Sequence, residues 1–186
     1  MPLRGDPSPT LNAERIEETL NRFNVEYILV GGVGAQLHGG TRETHDFDVV
    51  VNRAHDNIDR LIGALKELGA FMRADDVSDY DARQFKFDMK WHVTSQEITL
   101  WRTDAGDIDI LSSIPDVAGE PANYEALKRN ADLHNANGLQ VWVAGLEDII
   151  ASKRFANREK DREALPELDE MVSHAPASPD DPELSL

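Results

Sequence analysis

Residues 27–51 read YILVGGVGAQLHGGTRETHDFDVVV, and this stretch decides the fold class. Tyr27–Val30 is a short apolar run that breaks at Gly31-Gly32, as a buried strand does where it turns into a helix. Val33–Leu37 then predicts a short helix, and His45–Val51 predicts a second strand. Because one short helix separates the glycines from the second strand, both features can face one cleft.

The second strand carries two acids, Asp46 and Asp48, at alternate positions. Residues i and i+2 of a strand point to the same face, so both carboxylates project together while Phe47, Val49 and Val51 fill the other face. Neighbouring carboxylates suit a shared divalent cation, and Mg²⁺ is typical where substrate phosphates complete its coordination. The alternative is a half-exposed strand whose polar face holds acids without a metal.

The glycine bend has two interpretations. Backbone N–H groups at Gly31-Gly32, with the N-terminus of the following helix, can approach a triphosphate closely. Alternatively, the bend is only a sharp turn between strand and helix. In the loop that follows, Arg42 and Thr44 either meet phosphates or fix the loop.

A third acid is expected on the predicted strand 107–111. Asp107 and Asp109 alternate there with Ile108 and Ile110, so the two acids share a face. If this strand lies beside the first one, either acid could complete a cluster of three carboxylates. Such a cluster holds two metal ions, or one metal ion and a general base. The alternative is a solvated strand edge near a turn.

One lysine lies where solvation alone would not place it. Residues 146–155 predict a helix on which Ile149, Ile150 and Lys153 share the apolar stripe. Lys153 either extends to the edge of the core or points into the cleft against a phosphate. Asp161 follows near the start of a final predicted helix, as an N-cap or as an acid close to the lysine.

Elsewhere helices and strands interleave, which indicates an α+β fold with a mixed β-sheet flanked by helices. Further helices are predicted at Leu11–Phe23 (with Asn12 as N-cap), Asp56–Leu68 and Tyr124–Asn130. Further strands are predicted at Gln84–Asp88, Trp91–Val93, Ile98–Arg102 and Leu139–Val143. We expect one domain over residues 11–172, a flexible leader over residues 1–10 and an acidic mobile tail over residues 173–186.

The composition excludes several classes of function. Lys and Arg total 19 against 35 Asp and Glu, so the 186 residues carry a net charge of −16. This charge disfavours nonspecific nucleic-acid binding unless a local basic strip or metal ions supply positive charge. The absence of cysteine excludes a disulfide scaffold and a thiolate site. Without a membrane-length apolar run or a secretory signal pattern, a cytoplasmic location without membrane contact is expected.

In their order and spacing, these segments resemble nucleotidyltransferases of the DNA polymerase beta-like superfamily. Within it the chain looks like the AbiEii/MenT-like branch of bacterial toxins. The resemblance covers most of residues 27–168. The segments that carry it are Gly31-Gly32, His38-Gly39, Arg42, Thr44, Asp46-Phe47-Asp48, Gly106–Leu111 (GDIDIL), Leu146–Lys153 (LEDIIASK) and Arg158–Asp161 (REKD).

The resemblance implies a polymerase-beta-like fold and the transfer of an NMP from an NTP to an acceptor hydroxyl, with release of pyrophosphate. Mg²⁺ would be bound by Asp46, Asp48 and Asp109, and Asp109 would also assist deprotonation of the acceptor. Lys153 would neutralise phosphate charge, and Asp161 would support the site.

The predicted nucleotide-binding residues are Gly31, Gly32, Arg42 and Thr44. Many superfamily members have Gly-Ser where this chain has Gly31-Gly32, so backbone N–H groups must bind the phosphates here.

The resemblance further implies the toxin of a toxin–antitoxin system that modifies tRNA 3′ ends, with a cognate antitoxin as partner. Three alternatives stay open: a small-molecule acceptor such as an aminoglycoside, a protein hydroxyl as acceptor, and a degenerate domain that binds nucleotide without catalysis. A basic segment either contacts an RNA end or balances nearby acids; it comprises Lys153, Arg154, Arg158, Lys160 and Arg162.

Overall fold

The computed structural model describes residues 7–74, 76–136 and 138–174. The helices in these ranges are α1 (Ala13–Arg22), α2 (Gly31–Leu37), α3 (His55–Glu67), α4 (Asp79–Ala82), α5 (Met89–Ser95), α6 (Tyr124–Lys128), α7 (Leu146–Ala156) and α8 (Glu159–Ser173). The strands are β1 (Tyr27–Leu29), β2 (Asp46–Val51), β3 (Phe71–Met72), β4 (Ile98–Thr103), β5 (Gly106–Leu111), β6 (Ser113–Pro115), β7 (Pro121–Asn123), β8 (Asp132–Ala136) and β9 (Leu139–Val143).

Seven of these strands form one mixed sheet in the order β3-β4-β5-β2-β1-β9-β8, and β6 pairs with β7 in a separate hairpin. The pairs β2–β5 and β1–β9 run parallel, whereas the other neighbours in the sheet run antiparallel. The predicted α+β class, with a mixed sheet flanked by helices, is confirmed.

One face of the central strands forms the core. Phe47 of β2 and Ile108 of β5 are almost fully buried, in one apolar cluster with Ile58, Leu61 and Leu65 of α3. Burying a side chain of this size stabilises the fold by about 1.5–3 kcal/mol. The alternation of acids and apolar residues on β2 therefore fixes which face of the sheet stays open for chemistry.

The first predicted helix and its cap are confirmed. The side chain of Asn12 accepts a hydrogen bond from the backbone N–H of Arg15 at 3.0 Å, and α1 begins at Ala13. Ile16 and Leu20 of α1 are buried in the core. Asparagine at this position satisfies one of the free N–H groups at a helix start.

Two predicted strands are wrong. Residues 85–88 have no regular secondary structure, and Trp91–Val93 lies within helix α5. The Asp88 carboxylate accepts a hydrogen bond from the backbone N–H of Trp91 at 3.0 Å, which caps α5. This local cap outweighs the strand preference of the aromatic and β-branched side chains.

The predicted leader and tail fall mostly outside the described residues, since neither residues 1–6 nor residues 175–186 are included. Within the leader, the Ser8 hydroxyl donates a hydrogen bond to Asp107 Oδ2 at 2.6 Å. At the other end, Ser173 closes α8. Across the described ranges, the helices are too short or too polar to span a lipid bilayer.

Candidate active site

Three carboxylates meet on the open face of the sheet: those of Asp46 and Asp48 on β2 and that of Asp109 on β5. An oxygen of each lies within 4.8 Å of an oxygen of the other two. The parallel register that pairs Asp48 with Asp109 produces this arrangement, because paired residues of neighbouring strands point to the same face. The structure thus brings the three predicted metal ligands into one cluster.

The register also separates the two candidates for the third acid. Asp107 pairs with Asp46 in the sheet, but its buried carboxylate forms ion pairs with two arginines. Arg102 Nε lies 3.1 Å from Asp107 Oδ1, and Arg73 Nη1 lies 3.1 Å from Asp107 Oδ2. Asp109, two residues further along β5, pairs with Asp48 and is the acid that joins the cluster.

The glycine bend lies directly against the acids. Gly31 has φ +64°, and a Cβ on it would stand 1.9 Å from Oδ2 of Asp48. A Cβ on Gly32 would stand 2.3 Å from the hydroxyl oxygen of Thr44. Glycine is therefore required at both positions, at Gly31 by backbone conformation as well as by space.

The loop residues Arg42 and Thr44 have different surroundings. The Thr44 hydroxyl donates a hydrogen bond to Asp46 Oδ1 at 3.1 Å, which orients that carboxylate. Arg42 is paired with Glu163 of α8, with Nη2 2.5 Å from Oε2. Both residues line the same cavity as the acids, so the loop closes one side of it.

Helices α7 and α8 contribute Lys153 and Asp161. Lys153 Nζ lies 3.6 Å from Asp161 Oδ1, and the lysine side chain is only 15% exposed. Asp161 is fully buried and is also paired with Arg158, whose Nε lies 2.7 Å from Oδ2. Burial raises the pKa of Asp161, but the hydrogen bond and charge of Arg158 and the charge of Lys153 outweigh it and hold the pKa below its usual value.

Two cations at the cluster were not predicted. Arg73, which follows β3, places Nη2 3.1 Å from Asp109 Oδ1. Lys160 of α8 places Nζ 3.3 Å from Asp46 Oδ2. Lys160 belongs to the basic segment of the sequence and directly precedes Asp161. Arg73 lies in no motif, and only the antiparallel pairing of β3 with β4 brings it to this face.

Burial and mutual repulsion distribute charge unevenly over the cluster. Burial, with the charges of Asp46 and Asp109, raises the pKa of Asp48 to about 7. The pKa of Asp109 is also raised, chiefly by burial, although Arg73 opposes the shift. Burial acts on Asp46 as well, but Lys160 and Thr44 outweigh it and lower its pKa.

This arrangement fits a divalent cation. Within the described ranges, the Asp48 carboxylate receives no hydrogen bond and no ion pair, although it lies between two other carboxylates. A cation at this point would relieve the repulsion. The donor set consists of carboxylate oxygens alone, which is the set that Mg²⁺ prefers.

The acids open into a cavity of about 950 Å³ with two chemically different sides. That volume is at the upper end of the range of about 300–1,000 Å³ for ligand sites. Its polar side includes Gly31, Gly32, Thr44, Lys153 and Arg158. Its apolar side includes Ile98, Leu100, Leu111, Ile114, Pro115 and Phe155.

The apolar side is a direct extension of the acid face. Leu100 of β4 pairs with Asp109, and Ile98 pairs with Leu111, so their side chains point the same way as the acids. Ile98 is 54% exposed and Phe155 of α7 is 67% exposed. An exposed apolar surface thus adjoins the carboxylate cluster.

The family model described as a nucleotidyltransferase of unknown function (DUF6036) matches residues 11–172. No curated protein matches the chain. The solved structures with a similar fold include the lincomycin-bound lincosamide antibiotic adenylyltransferase LnuA, at TM-score 0.58 and 15% identity over 88% of this chain and 99% of that one. They also include ANT(2″)-Ia in complex with adenylyl-2″-tobramycin, at TM-score 0.54 and 16% identity over 86% of each chain.

A third similar structure is an antigenic nucleotidyltransferase-like protein from Paracoccidioides brasiliensis, at TM-score 0.50 and 17% identity over 89% of this chain and 78% of that one. At such identities the likeness concerns the fold, whereas the family match rests on the sequence over nearly the whole described chain. The chain belongs to the DUF6036 family of nucleotidyltransferases.

Proposed function

We propose that this protein is a cytoplasmic, Mg²⁺-dependent enzyme that transfers an NMP from an NTP to an acceptor hydroxyl. One observation carries the proposal: three carboxylates from two parallel strands converge directly beside a glycine bend. Such a bend leaves backbone N–H groups accessible to phosphates. Lys153 and Arg158 line the same cavity and supply positive charge there.

In this reaction the acceptor oxygen attacks the α-phosphorus of the NTP. The bond from the α-phosphorus to the bridging oxygen breaks, and pyrophosphate leaves. The acceptor proton would pass to a carboxylate oxygen of Asp109, which lies in the acid cluster beside the glycine bend. Arg73 holds that carboxylate in place.

Asp46, Asp48 and Asp109 would bind Mg²⁺, which when bound offsets the negative charge of the phosphates. The backbone N–H groups of Gly31 and Gly32 would bind the triphosphate. Lys153 would stabilise the leaving pyrophosphate as a compact positive charge. The buried Asp161 orients Lys153 through their ion pair.

For the acceptor, the AbiEii/MenT-like resemblance supports a tRNA 3′ end, in a toxin controlled by a cognate antitoxin. In the structure, however, most of the basic segment is already paired with acids. Arg154 Nη2 lies 2.7 Å from Asp169 Oδ1, Arg158 pairs with Asp161, and Lys160 pairs with Asp46. An RNA backbone would have to displace these carboxylates, which lowers the electrostatic gain from each contact.

A small hydroxylated molecule with an apolar face and positive charge is the second candidate acceptor, and the geometry favours it. The exposed apolar side of the cavity provides a surface for such a face, and the net charge of −16 attracts a cation. LnuA is bound to lincomycin, and ANT(2″)-Ia is bound to an adenylylated tobramycin. These two neighbours support a small acceptor for this fold.

The test is to incubate the protein with Mg²⁺ and each NTP, radiolabelled at the α-phosphate. One arm contains total tRNA and the other a panel of cationic hydroxylated small molecules. Label that appears in tRNA supports the toxin proposal, and label in a small product supports the second candidate. Asp109→Asn should abolish either product, whereas Asp56→Asn, on the exposed side of α3, should not.

The alternative of a domain that binds nucleotide without catalysis predicts a different result. Calorimetry that shows NTP and Mg²⁺ binding, without label transfer to tRNA, protein or small molecules, would overturn the proposed activity and support a nucleotide-binding module.

A further inference from the structure

We propose that His38, Asp132 and His134 form a second metal site, for a divalent first-row transition ion such as Zn²⁺. One ligand atom of each residue lies within 4.8 Å of a ligand atom of the other two. These residues lie outside the cavity with the three acids. The inference does not depend on the proposed function.

The fold places the three side chains together from two elements. Asp132 and His134 alternate on β8, so both point to the same face of the strand. His38 is the C-cap of α2. The rings of His38 and His134 meet edge to face, with centroids 4.9 Å apart and planes at 81°.

The hydrogen bond of His38 determines which of its nitrogens is available. Nε2 lies 2.8 Å from the backbone carbonyl oxygen of Ala144. Because a carbonyl oxygen only accepts, Nε2 carries the proton and Nδ1 keeps a free lone pair. Metal-bound histidines characteristically donate their other N–H to a backbone carbonyl in this way.

His134 supplies the second observation. Its Nε2 is buried and has no hydrogen-bond partner in the parts of the chain that the structure describes. Buried polar nitrogens are nearly always satisfied, so an unsatisfied one beside another imidazole and a carboxylate indicates a ligand. Asp132 is exposed, which leaves the proposed site open to solvent for metal entry.

The donor set distinguishes this site from the acid cluster. Imidazole nitrogens favour Zn²⁺ and its transition-metal neighbours, whereas Mg²⁺ favours oxygen. Zinc ligands lie about 2.0–2.2 Å from the ion, so small side-chain rotations would bring three atoms within 4.8 Å of one another onto it. The chain has no cysteine, so thiolates cannot compete for the ion.

A metal ion bound to His38 would hold the C-terminal end of α2, and the glycine bend lies at the N-terminal end of the same helix. The helix begins at Gly31 and ends at Leu37, beside His38, so the two ends are about 10 Å apart at 1.5 Å per residue. The ion would join α2 to β8, and Ala144, which holds His38, leads into α7 with Lys153. We infer a structural role for this ion.

The experiment is a calorimetric titration of the full chain with Zn²⁺ in excess Mg²⁺. We expect one Zn²⁺ site that is lost in His134→Ala and weakened at least tenfold in Asp132→Asn. His55→Ala is the matched control, since His55 lies on α3 and is paired with Asp59, and it should bind Zn²⁺ like the unmodified protein. Asp48→Asn should also keep this site.

Two outcomes would overturn the proposal. One is the absence of a Zn²⁺ site in excess Mg²⁺. The other is a Zn²⁺ site that Asp48→Asn removes and that Asp132→Asn leaves unchanged, because the ion would then bind the acid cluster. Asp132 is exposed, so its substitution tests the proposal even if His134→Ala does not fold.

Discussion

At the scale of single residues, the site depends on the contact between Gly31 and Asp48. A Cβ on Gly31 would overlap Oδ2 of Asp48, so Gly31→Ala should displace that carboxylate. We expect the nucleotidyl transfer rate to fall about 100-fold or more, since misplacing a charged group in an active site has that effect. Steady-state kinetics with labelled NTP measures it.

Gly138→Ala is the matched control for this prediction. Gly138 also has a positive φ, +84°, but a Cβ there meets nothing within 4 Å. Both substitutions should cost about 1 kcal/mol of stability through backbone strain, to which Gly31→Ala adds the overlap with Asp48. Only Gly31→Ala should lose activity, and equal activity losses in the two variants would contradict the steric explanation.

Asp48 itself gives the second prediction. Asp48→Asn removes one of three neighbouring charges, so the protein without metal should melt a few degrees higher at pH 8. Activity should nevertheless fall at least about 100-fold, because one of the three proposed Mg²⁺ ligands is lost. A variant that is both less stable and fully active would contradict the assignment of Asp48 to a metal site.

At the scale of secondary-structure elements, strand pairing decides which acids matter. The sequence predicts alternate faces on both strands, and therefore four candidate acids. It does not predict the register that aligns Asp48 with Asp109 or the two arginines that occupy Asp107. Arg73 could not be found from the sequence, since it reaches the acids only because the two-residue strand before it, β3, pairs with β4 at the edge of the sheet.

Local capping explains one of the two wrongly predicted strands, Trp91–Val93. Aromatic and β-branched residues around Trp91 favoured a strand, but the carboxylate of Asp88 begins a helix there. By contrast, α1, β2, β5 and α7 were predicted correctly because long apolar periodicities and clear breaks define them. The sequence was thus sufficient to predict which strands carry the acids, but not which cations pair with them.

The contact between α7 and α8 gives a third prediction. Asp161→Asn leaves Lys153 and Arg158 without their buried carboxylate, so unfolding free energy should fall by about 2 kcal/mol. Urea unfolding measures this. Asp169→Asn is the control. Asp169, which is also on α8, forms an exposed pair with Arg154 of α7, so its substitution should cost below about 1 kcal/mol.

Helix α1 gives a fourth prediction, on pH. Burial, together with the charge of Glu14, raises the pKa of Glu17 from 4.5 to about 7. The folded state therefore holds this proton more tightly than the unfolded state, and its stabilising effect is lost as the pH rises through about 7. The protein should melt lower at pH 8 than at pH 5.

Glu17→Gln should reduce this pH dependence, because the neutral amide does not titrate. Thermal melting at both pH values, monitored by circular dichroism, measures the difference. An unchanged slope in Glu17→Gln would show that other groups cause the dependence, and Glu18→Gln, an exposed neighbour on α1, serves as the control.

At the scale of the whole molecule, a net charge of −16 should govern how acceptors arrive. A cationic acceptor is attracted from a distance, and salt screens that attraction. Raising NaCl from about 20 to about 200 mM should therefore increase the KM for a cationic acceptor and leave kcat nearly unchanged. A KM that stays the same or falls as salt rises would contradict electrostatic attraction of the acceptor.

The pairing of Arg73 and Lys160 with the acid cluster has a consequence for the newly synthesised chain. These two side chains act as internal counterions, so the strands that carry the acids can assemble before any external ion arrives. Protein prepared in a chelator should therefore give the same far-ultraviolet circular dichroism as protein prepared with magnesium. Folding and the proposed binding of magnesium would then be separate events, and the chain would reach its folded state without the ion.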